Sequence, residues 1–512
     1  MKHSSTGKQR VNWVSELIAR EGTYGVVSQI SRQHGISRQA LYQLKEKGRA
    51  ALEKELSPKE QEIEQKQQKE RAILTLLTEA HASYRGIQAC LKTLLGIHVS
   101  IGEITAVIQK AGKQAIELLK QQIPEGKRAI ALDEQYGSKR GEAYLNIVDV
   151  HSGQILASVP PVAVDGESWT LLLWFLQDQG LEWYTTVSDG GKAIADAVQE
   201  SYWDHAHQRD VWHVLHECQK VQGRLDRFVE QLENQTKTVE AQAARIAAGK
   251  KPRGKNPKTD PVAHMQQVSQ AEYVARSLSY LTSELQRLLE VVVLSSTPEP
   301  SLLLHDKRQE ELETLCDLLR ELCQVTPEAW RKELEGLLRH VQLALPALLV
   351  FSQHLDHVQK SAIAQLGEQA CHLIGWAWQR RTILEPKIDK LVASFPPDWQ
   401  PCADSLLHAW EAAVRASSCV ENWHSILRPF LAVHRCLSAP MLALLALWHN
   451  HRVAPRGLHK GQSPLQRSGL KIAQATDWLA SLGYPPPSQE RRTCAPCSIF
   501  VQAEQQVLPA VA

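Results

Sequence analysis

Between residues 128 and 214 short apolar runs alternate with turns, whereas most of the remaining chain repeats its apolar positions at helical spacing. The first run, Arg128–Asp133, has the length of a strand and ends on a carboxylate. A second, Ala143–Asp149, is joined through His151-Ser-Gly153 to a third, Gln154–Pro160, and a Gly-containing turn between two short runs predicts antiparallel pairing. Glu167–Gln179 follows as an amphipathic helix. Trp183–Ser188 is a fourth strand that delivers Asp189 and then Gly190-Gly191, and Gln208–Val214 is a fifth. The order β-β-β-α-β-α-β puts Asp133 and Asp189 at strand ends, ahead of turns. Two carboxylates so placed can converge on divalent cations, because hard cations take oxygen ligands.

The flanking segments are helical. Residues 1–56 predict a helix-turn-helix, with helices at Gln9–Arg20, Val26–His34 and Arg38–Ala50. Gly35 supplies the left-handed turn and Ser37 caps the third helix. On that helix Arg38, Gln39, Tyr42, Gln43 and Lys45 point away from an Ala40/Leu41/Leu44 face. With Arg32 and Ser37 they form a set of the residue types that read base edges or hold phosphates. Residues 57–125 predict a spacer helix opened by the Ser57-Pro-Lys-Glu60 capping box, then a second helix-turn-helix-like unit at Ser83–Leu95 and Ser100–Lys110. Residues 214–413 predict an all-helical region with starts at Thr297-Pro298 and Thr326-Pro327. Residues 414–480 hold a helix through Glu421 that stops at Pro429 and another at Ala439–Asn450, and 481–512 form a tail.

Composition narrows the picture without deciding it. Of 512 residues, 43% are hydrophobic and 22% charged, as in a globular chain of two to four domains. The net charge is only +2, so nucleic-acid affinity must come from local patches. Residues 1–50 form one, with nine Lys/Arg against three Glu, and the acid-free run Arg245–Lys258 is a solvated loop or a second patch. No apolar run of membrane-spanning length and no signal-like start are evident, which predicts a cytoplasmic protein without a membrane partner. Ten scattered Cys suit reduced thiols, and Cys494-Ala-Pro-Cys497 alone reads as a plain loop.

Asp on the first and fourth strands of this order resembles the ribonuclease-H-like core of DDE transposases. That family needs a third carboxylate on a later helix, and Glu421 in Val414–Arg428 is the candidate, with Glu411 its rival. Asp133 and Asp189 are 56 residues apart, but Glu421 lies 232 residues beyond Asp189, so a large insertion must precede the last helix. Mutator-like and hAT-like transposases and related bacterial insertion-sequence enzymes carry a helical insertion there and a Cys/Asp-x-x-His motif, which Asp210-Val-Trp-His213 matches. The resemblance covers roughly 128–213 and 414–470. It implies an α/β ribonuclease-H-like core interrupted by a large all-α insertion and preceded by an all-α helix-turn-helix DNA-binding region. It also implies two Mg²⁺ ions per site, with Mn²⁺ as substitute, held by Asp133, Asp189 and Glu421, Asp133 bridging both. His424 and Arg428, one and two turns after Glu421, are candidates to hold a phosphate. Asp210 and His213 either lie beside the active site or simply cap a helix or bond each other. The implied partners are double-stranded DNA and further copies of the chain, because two element ends must be handled together. A catalytically silent DNA-binding regulator and a nuclease without strand transfer are the alternatives.

Overall fold

The centre of the fold is a mixed five-stranded sheet, built because the alternating apolar runs must bury both faces. In the computed structural model, which describes residues 6–56, 58–200, 206–251, 260–296, 299–457, 459–470 and 477–486, the chain divides into two compact units, Met1–Val107 with Leu479–Ala512, and Ile108–Trp478.

The first unit opens with α1 (Gly7–Ala19), α2 (Val26–His34) and α3 (Arg38–Leu56). Trp13, Leu17, Val26, Ile30 and Leu41 close a small core between them. Gly35 takes the left-handed conformation at φ 69°, and the Ser37 hydroxyl accepts the Ala40 N–H at 3.2 Å. Ala40 is exposed, so the apolar face is narrower than expected. The helices α4 (Pro58–Thr78) and α5 (Tyr84–Leu95) follow, and α6 (Ile101–Lys120) begins in this unit and ends in the second. Ser57 lies outside the described residues. Ser83 and Ser100 cap their helices as expected, but α6 runs ten residues past Lys110, because Ala111 and Ala115 continue its buried face.

In the second unit β1 (Arg128–Tyr136), β2 (Glu142–Asp149) and β3 (Ile155–Ala163) form an antiparallel meander, and β4 (Trp183–Ser188) and β5 (Ala206–Arg209) add to it in parallel. The spatial order is β3-β2-β1-β4-β5. The helix α7 (Gly166–Asp178) packs Trp169, Leu172, Leu173 and Leu176 onto Ile130, Leu132, Leu145 and Ile147, and α8 (Lys192–Glu200) joins β4 to β5. Two expectations fail here. Asp133 is not at a strand end, because β1 continues to Tyr136 by pairing Glu134, Gln135 and Tyr136 with Leu145, Tyr144 and Ala143. The fifth strand ends at Arg209 rather than Val214, because Asp210 starts a helix.

The large excursion is α9 (Val211–Ala247), α10 (Pro261–Leu288), a two-stranded β6 (Leu294–Ser295) and β7 (Ser301–Leu302), then α11 (His305–Val325), α12 (Glu328–Leu348), α13 (Val350–Leu366), α14 (Glu368–Gln379), α15 (Arg381–Ala393) and α16 (Gln400–Glu411). Leucines at helical spacing build one continuous core through them. The small hairpin was not foreseen. It is held by Arg308, buried and donating to the carbonyls of Leu303, Glu290 and Val291. Helix α12 starts just after Thr326-Pro327 as expected. Thr297-Pro298 and the second half of the basic Arg245–Lys258 run lie outside the described residues, as do Cys494 and Cys497, while the first three residues of that run belong to α9. The stretch Glu328–Leu366 is long and apolar enough to cross a membrane by length and composition, unlike the expectation from the sequence, but it contains Pro346 and 44% of its most apolar window is buried inside the protein.

The chain returns through α17 (Ser418–Val433) and α18 (Ala439–His451), then the short α19 (Pro464–Arg467) and α20 (Trp478–Ser481). Helix α17 does not stop at Pro429, since buried Phe430 keeps the last turn packed against the cost of the missing N–H. Asn450 on α18 bonds both the N–H and the C=O of Ile155 on β3, at 2.8 and 3.0 Å. At the other edge, buried Gln208 on β5 donates to the Leu348 carbonyl and accepts the Phe351 N–H, which joins the helical excursion to the sheet.

The excursion is also closed at its neck. Asp210 caps α9 with Oδ1, accepting the N–H groups of Trp212 and His213 at 2.7 and 3.2 Å. Its Oδ2 accepts the N–H and hydroxyl of Ser417, at 2.7 and 2.5 Å, and the Val211 N–H bonds the Arg415 carbonyl at 2.9 Å. Asp210→Ala is therefore expected to cost about 2–4 kcal/mol, from a lost cap and lost hydrogen bonds to a charge. Asp210→Asn, which keeps an acceptor, should lose less. Urea unfolding followed by tryptophan fluorescence measures both, and an unchanged midpoint for the alanine variant would remove the neck from the account.

Candidate active site

Alternation along β1 sends Ile130, Leu132 and Glu134 toward α7 and Asp133 to the opposite face, where α17 lies. Across the ladder Asp133 pairs with Asn146 of β2. On the other side β4 runs parallel to β1 and ends at Ser188, so Asp189 emerges next to Asp133. The Asp189 Oδ1 accepts the Gly191 N–H at 2.8 Å. Gly190 takes φ 76°, a left-handed conformation that favours glycine, and a side chain there would also have to displace the Arg209 guanidinium that lies against it.

Glu421 sits in the first turn of α17 and His424 one turn later. Asp133, Glu421 and His424 each offer a ligand atom, all within 4.8 Å of one another, so this group could hold a metal ion. Arg428 lies 3.7 Å from Glu421 on the same helix face. The rival Glu411 ends α16 with an exposed side chain facing His408, and it does not enter this group.

The electrostatics are strained. The Asp133 carboxyl is pushed up to about 8, first by burial, against the relief of the Glu134 N–H at 2.8 Å, and further by the charges of Asp189, Glu421 and Glu134. His424 is lowered to about 4, by burial and then by Arg428, so its imidazole is neutral at pH 7. Burial lowers the pKa of Arg209, while Asp189 and Asp210 act the other way.

Asp210 and His213 do not bond each other through their side chains. Both Asp210 oxygens are consumed at the neck, which makes it a structural strut rather than a ligand. The His213 ring stands edge-on to Trp212, and its buried Nε2 has no hydrogen-bond partner among the described residues. Three contributors went unforeseen. Glu134 accepts from Trp169 Nε1 at 2.9 Å and from the Tyr136 hydroxyl at 3.1 Å, and it adds charge beside Asp133. Its position next to Asp133 was the only signal. Arg209 is brought beside Asp189 by the pairing of Ser188 with Arg209, and Asn146 beside His424 by the β1–β2 register; no spacing in the sequence announces either.

In the other unit, Arg32, Ser37, Arg38, Gln39, Tyr42 and Gln43 are all exposed. Arg20, Tyr24, Arg32, Arg38 and Tyr42 line one concavity. Lys45 lines the same concavity and pairs with Glu21 at 2.8 Å, where Arg49 also pairs.

No family model and no curated protein matches the chain.

The raised Asp133 pKa gives a pH signature. Between its ordinary 3.8 and about 8, the folded chain retains a proton that the unfolded chain has released, so folding stability falls as pH rises through that window. With divalent cations chelated, Asp133→Asn should be more stable than the parent at pH 8, with the gap closing toward pH 4. Urea midpoints across that range test it; a parent whose stability rises with pH relative to the variant would sink it.

Proposed function

We propose that this chain is a DDE-type transposase with a ribonuclease-H-like core, which binds its element's DNA ends through α1–α3, cuts them and joins the 3′-OH to target DNA. One observation carries the reading. Asp133 on the central strand of a β3-β2-β1-β4-β5 sheet and Glu421, from a helix 232 residues beyond Asp189, offer ligand atoms within 4.8 Å of each other and of His424, and Asp189, at the end of the neighbouring parallel strand, is near enough for its charge to raise the Asp133 pKa. Crowding the charges of Asp189, Glu421 and Glu134 around the largely buried Asp133 is costly, and it is understandable where the group serves a hard cation.

The donor set is carboxylate oxygen, which suits Mg²⁺ or Mn²⁺. Bound there, such ions would supply an activated nucleophile and a stabilised leaving oxygen for phosphodiester chemistry. Asp133, Asp189 and Glu421 are the residues that would hold them. Arg428 on the exposed side of Glu421 and Arg209 beside Asp189 are cations placed to steady phosphates on either side. The exposed Arg38, Gln39, Tyr42 and Gln43 offer side chains for base edges, and Arg32 one for phosphate. Handling two ends calls for a dimer or larger assembly. Retention of all three carboxylates favours catalysis over a silent DNA-binding regulator.

The test uses duplexes taken from the two DNA flanks of the chain's own gene, with recessed 3′-OH ends, Mg²⁺ and a supercoiled target. Joined products support a transposase, cleavage alone a nuclease, and binding alone the regulator. Asp133→Ala, Asp189→Ala and Glu421→Ala should each abolish strand cleavage, by at least about a thousandfold, while leaving end binding within about twofold. The metal ligands and the reading helices are separate parts of the chain. Normal cleavage by Glu421→Ala would remove it as the third carboxylate.

Deleting residues 1–56 should erase discrimination between end and random DNA in band-shift titrations. Arg38→Ala or Gln43→Ala should reduce it by about 1–3 kcal/mol, the worth of one base contact. Undiminished discrimination in the deletion would move recognition elsewhere in the chain.

A further inference from the structure

His424 belongs by distance to the group that could hold a metal, yet its hydrogen bonds argue for a different role. The decisive residue is Asn146, fully buried on β2. Its Oδ1 accepts from Trp423 Nε1 at 3.0 Å and from the Ser158 hydroxyl at 2.7 Å. An indole N–H can only donate, so the amide orientation is determined: oxygen toward Trp423, nitrogen toward His424. The Nδ2 group donates to the Tyr144 carbonyl at 3.3 Å and faces His424 Nε2 at 3.1 Å. An amide NH₂ has no acceptor capacity, so Nε2 must offer its lone pair. A neutral imidazole carries one proton, which then resides on Nδ1. The Nδ1 atom is 3.6 Å from Asp133 Oδ2.

We propose that His424 is a positioning residue acting through Asp133, not a metal ligand: Asn146 holds its ring in the Nδ1–H form and aims that N–H at Oδ2. Neither nitrogen is then free to ligate, one being protonated and the other occupied. Asp133 Oδ1 takes the Glu134 N–H at 2.8 Å, while Oδ2 faces Nδ1 at 3.6 Å, an electrostatic contact longer than a hydrogen bond that favours one orientation of the carboxyl group. The same network sets α17. Trp423 and His424, adjacent in the chain, both end on Asn146, which fixes the helix's rotation and so places Glu421, one turn earlier, beside Asp133. The inference rests on the proposed function only in taking Asp133 and Glu421 as the metal-holding pair.

The test is spectroscopic. Full-length protein with ¹⁵N-labelled histidine is observed by long-range ¹H–¹⁵N correlation, which separates the two tautomers by their two-bond couplings. The His424 signals are assigned by their loss in His424→Gln, or in His424→Asn should the first variant not fold. The expected pattern is Nδ1–H, unchanged when Mg²⁺ is added, and redistributed in Asn146→Leu. Mn²⁺ affinity, read by electron paramagnetic resonance, should fall less than tenfold in His424→Gln and more than a hundredfold in Asp133→Asn. An Nε2–H pattern, a shift of Nδ1 to a metal-bound position, or a hundredfold loss of Mn²⁺ binding in a folded His424→Gln would overturn the proposal. A wild-type protein that shows the Nδ1–H form but binds no Mn²⁺ would instead refute the metal-dependent function and leave the tautomer assignment standing.

Discussion

The candidate site depends on the carboxylate of Asp210. It divides its two oxygens between the start of α9, where the chain leaves the sheet, and Ser417, where it comes back 207 residues later. A flexible loop of that length would cost about 5 kcal/mol to close. The helical excursion avoids much of that loss by folding on a core of its own, which holds the two ends near each other before they meet. Gln208 adds a second join by bonding the α12–α13 turn to β5. The position of Glu421 follows from these joins, since α17 begins at the residue after Ser417.

A purely apolar contact would leave α17 free to slide or turn by small amounts. The contact made here is polar and buried. Trp423, His424, Ser158 and the Tyr144 carbonyl all converge on Asn146, which has one donor group and one acceptor group to share. A satisfied buried network of this kind specifies one arrangement, because any rotation of α17 strands a polar group away from water. The register of β1 against β2 sets the same point independently, by placing Asn146 opposite Asp133.

The sequence made the strand order, the helix-turn-helix caps and the position of Asp189 readable, because each rests on local signals: alternating apolar residues, a glycine after a strand, a serine before a helix. Residues whose roles arise from long-range pairing were harder. Asp133 looked terminal because Glu134, Gln135 and Tyr136 are polar, yet they belong to the strand through partners on β2. Pro429 looked like a stop, but tertiary packing of Phe430 outweighs it. Asp210 and His213 formed a recognisable tetrapeptide, and the structure gives the aspartate to the neck. Glu134, Asn146 and Arg209 were invisible for one reason: each matters only through a neighbour that the sheet supplies.

The arrangement of charge around Asp133 is what most separates this site from an ordinary buried polar cluster. Ion pairs in protein interiors usually compensate within hydrogen-bonding distance, whereas here Asp189, Glu421 and Glu134 all raise the Asp133 pKa. The nearby guanidiniums stand at the margins, Arg428 against the half-exposed Glu421 and Arg209 packed on Gly190. Neutral groups occupy the interior side: His424 is discharged by burial, and Trp423 and Asn146 carry no charge. A core selected for stability alone would replace Asp133 with an apolar side chain of similar size, since the strand around it is already closely packed. An acidic group kept there against its own solvation, and fixed by the Glu134 N–H, adds nothing to a fold that the neck and the apolar core already hold together, and it belongs to the cluster that could hold a metal ion.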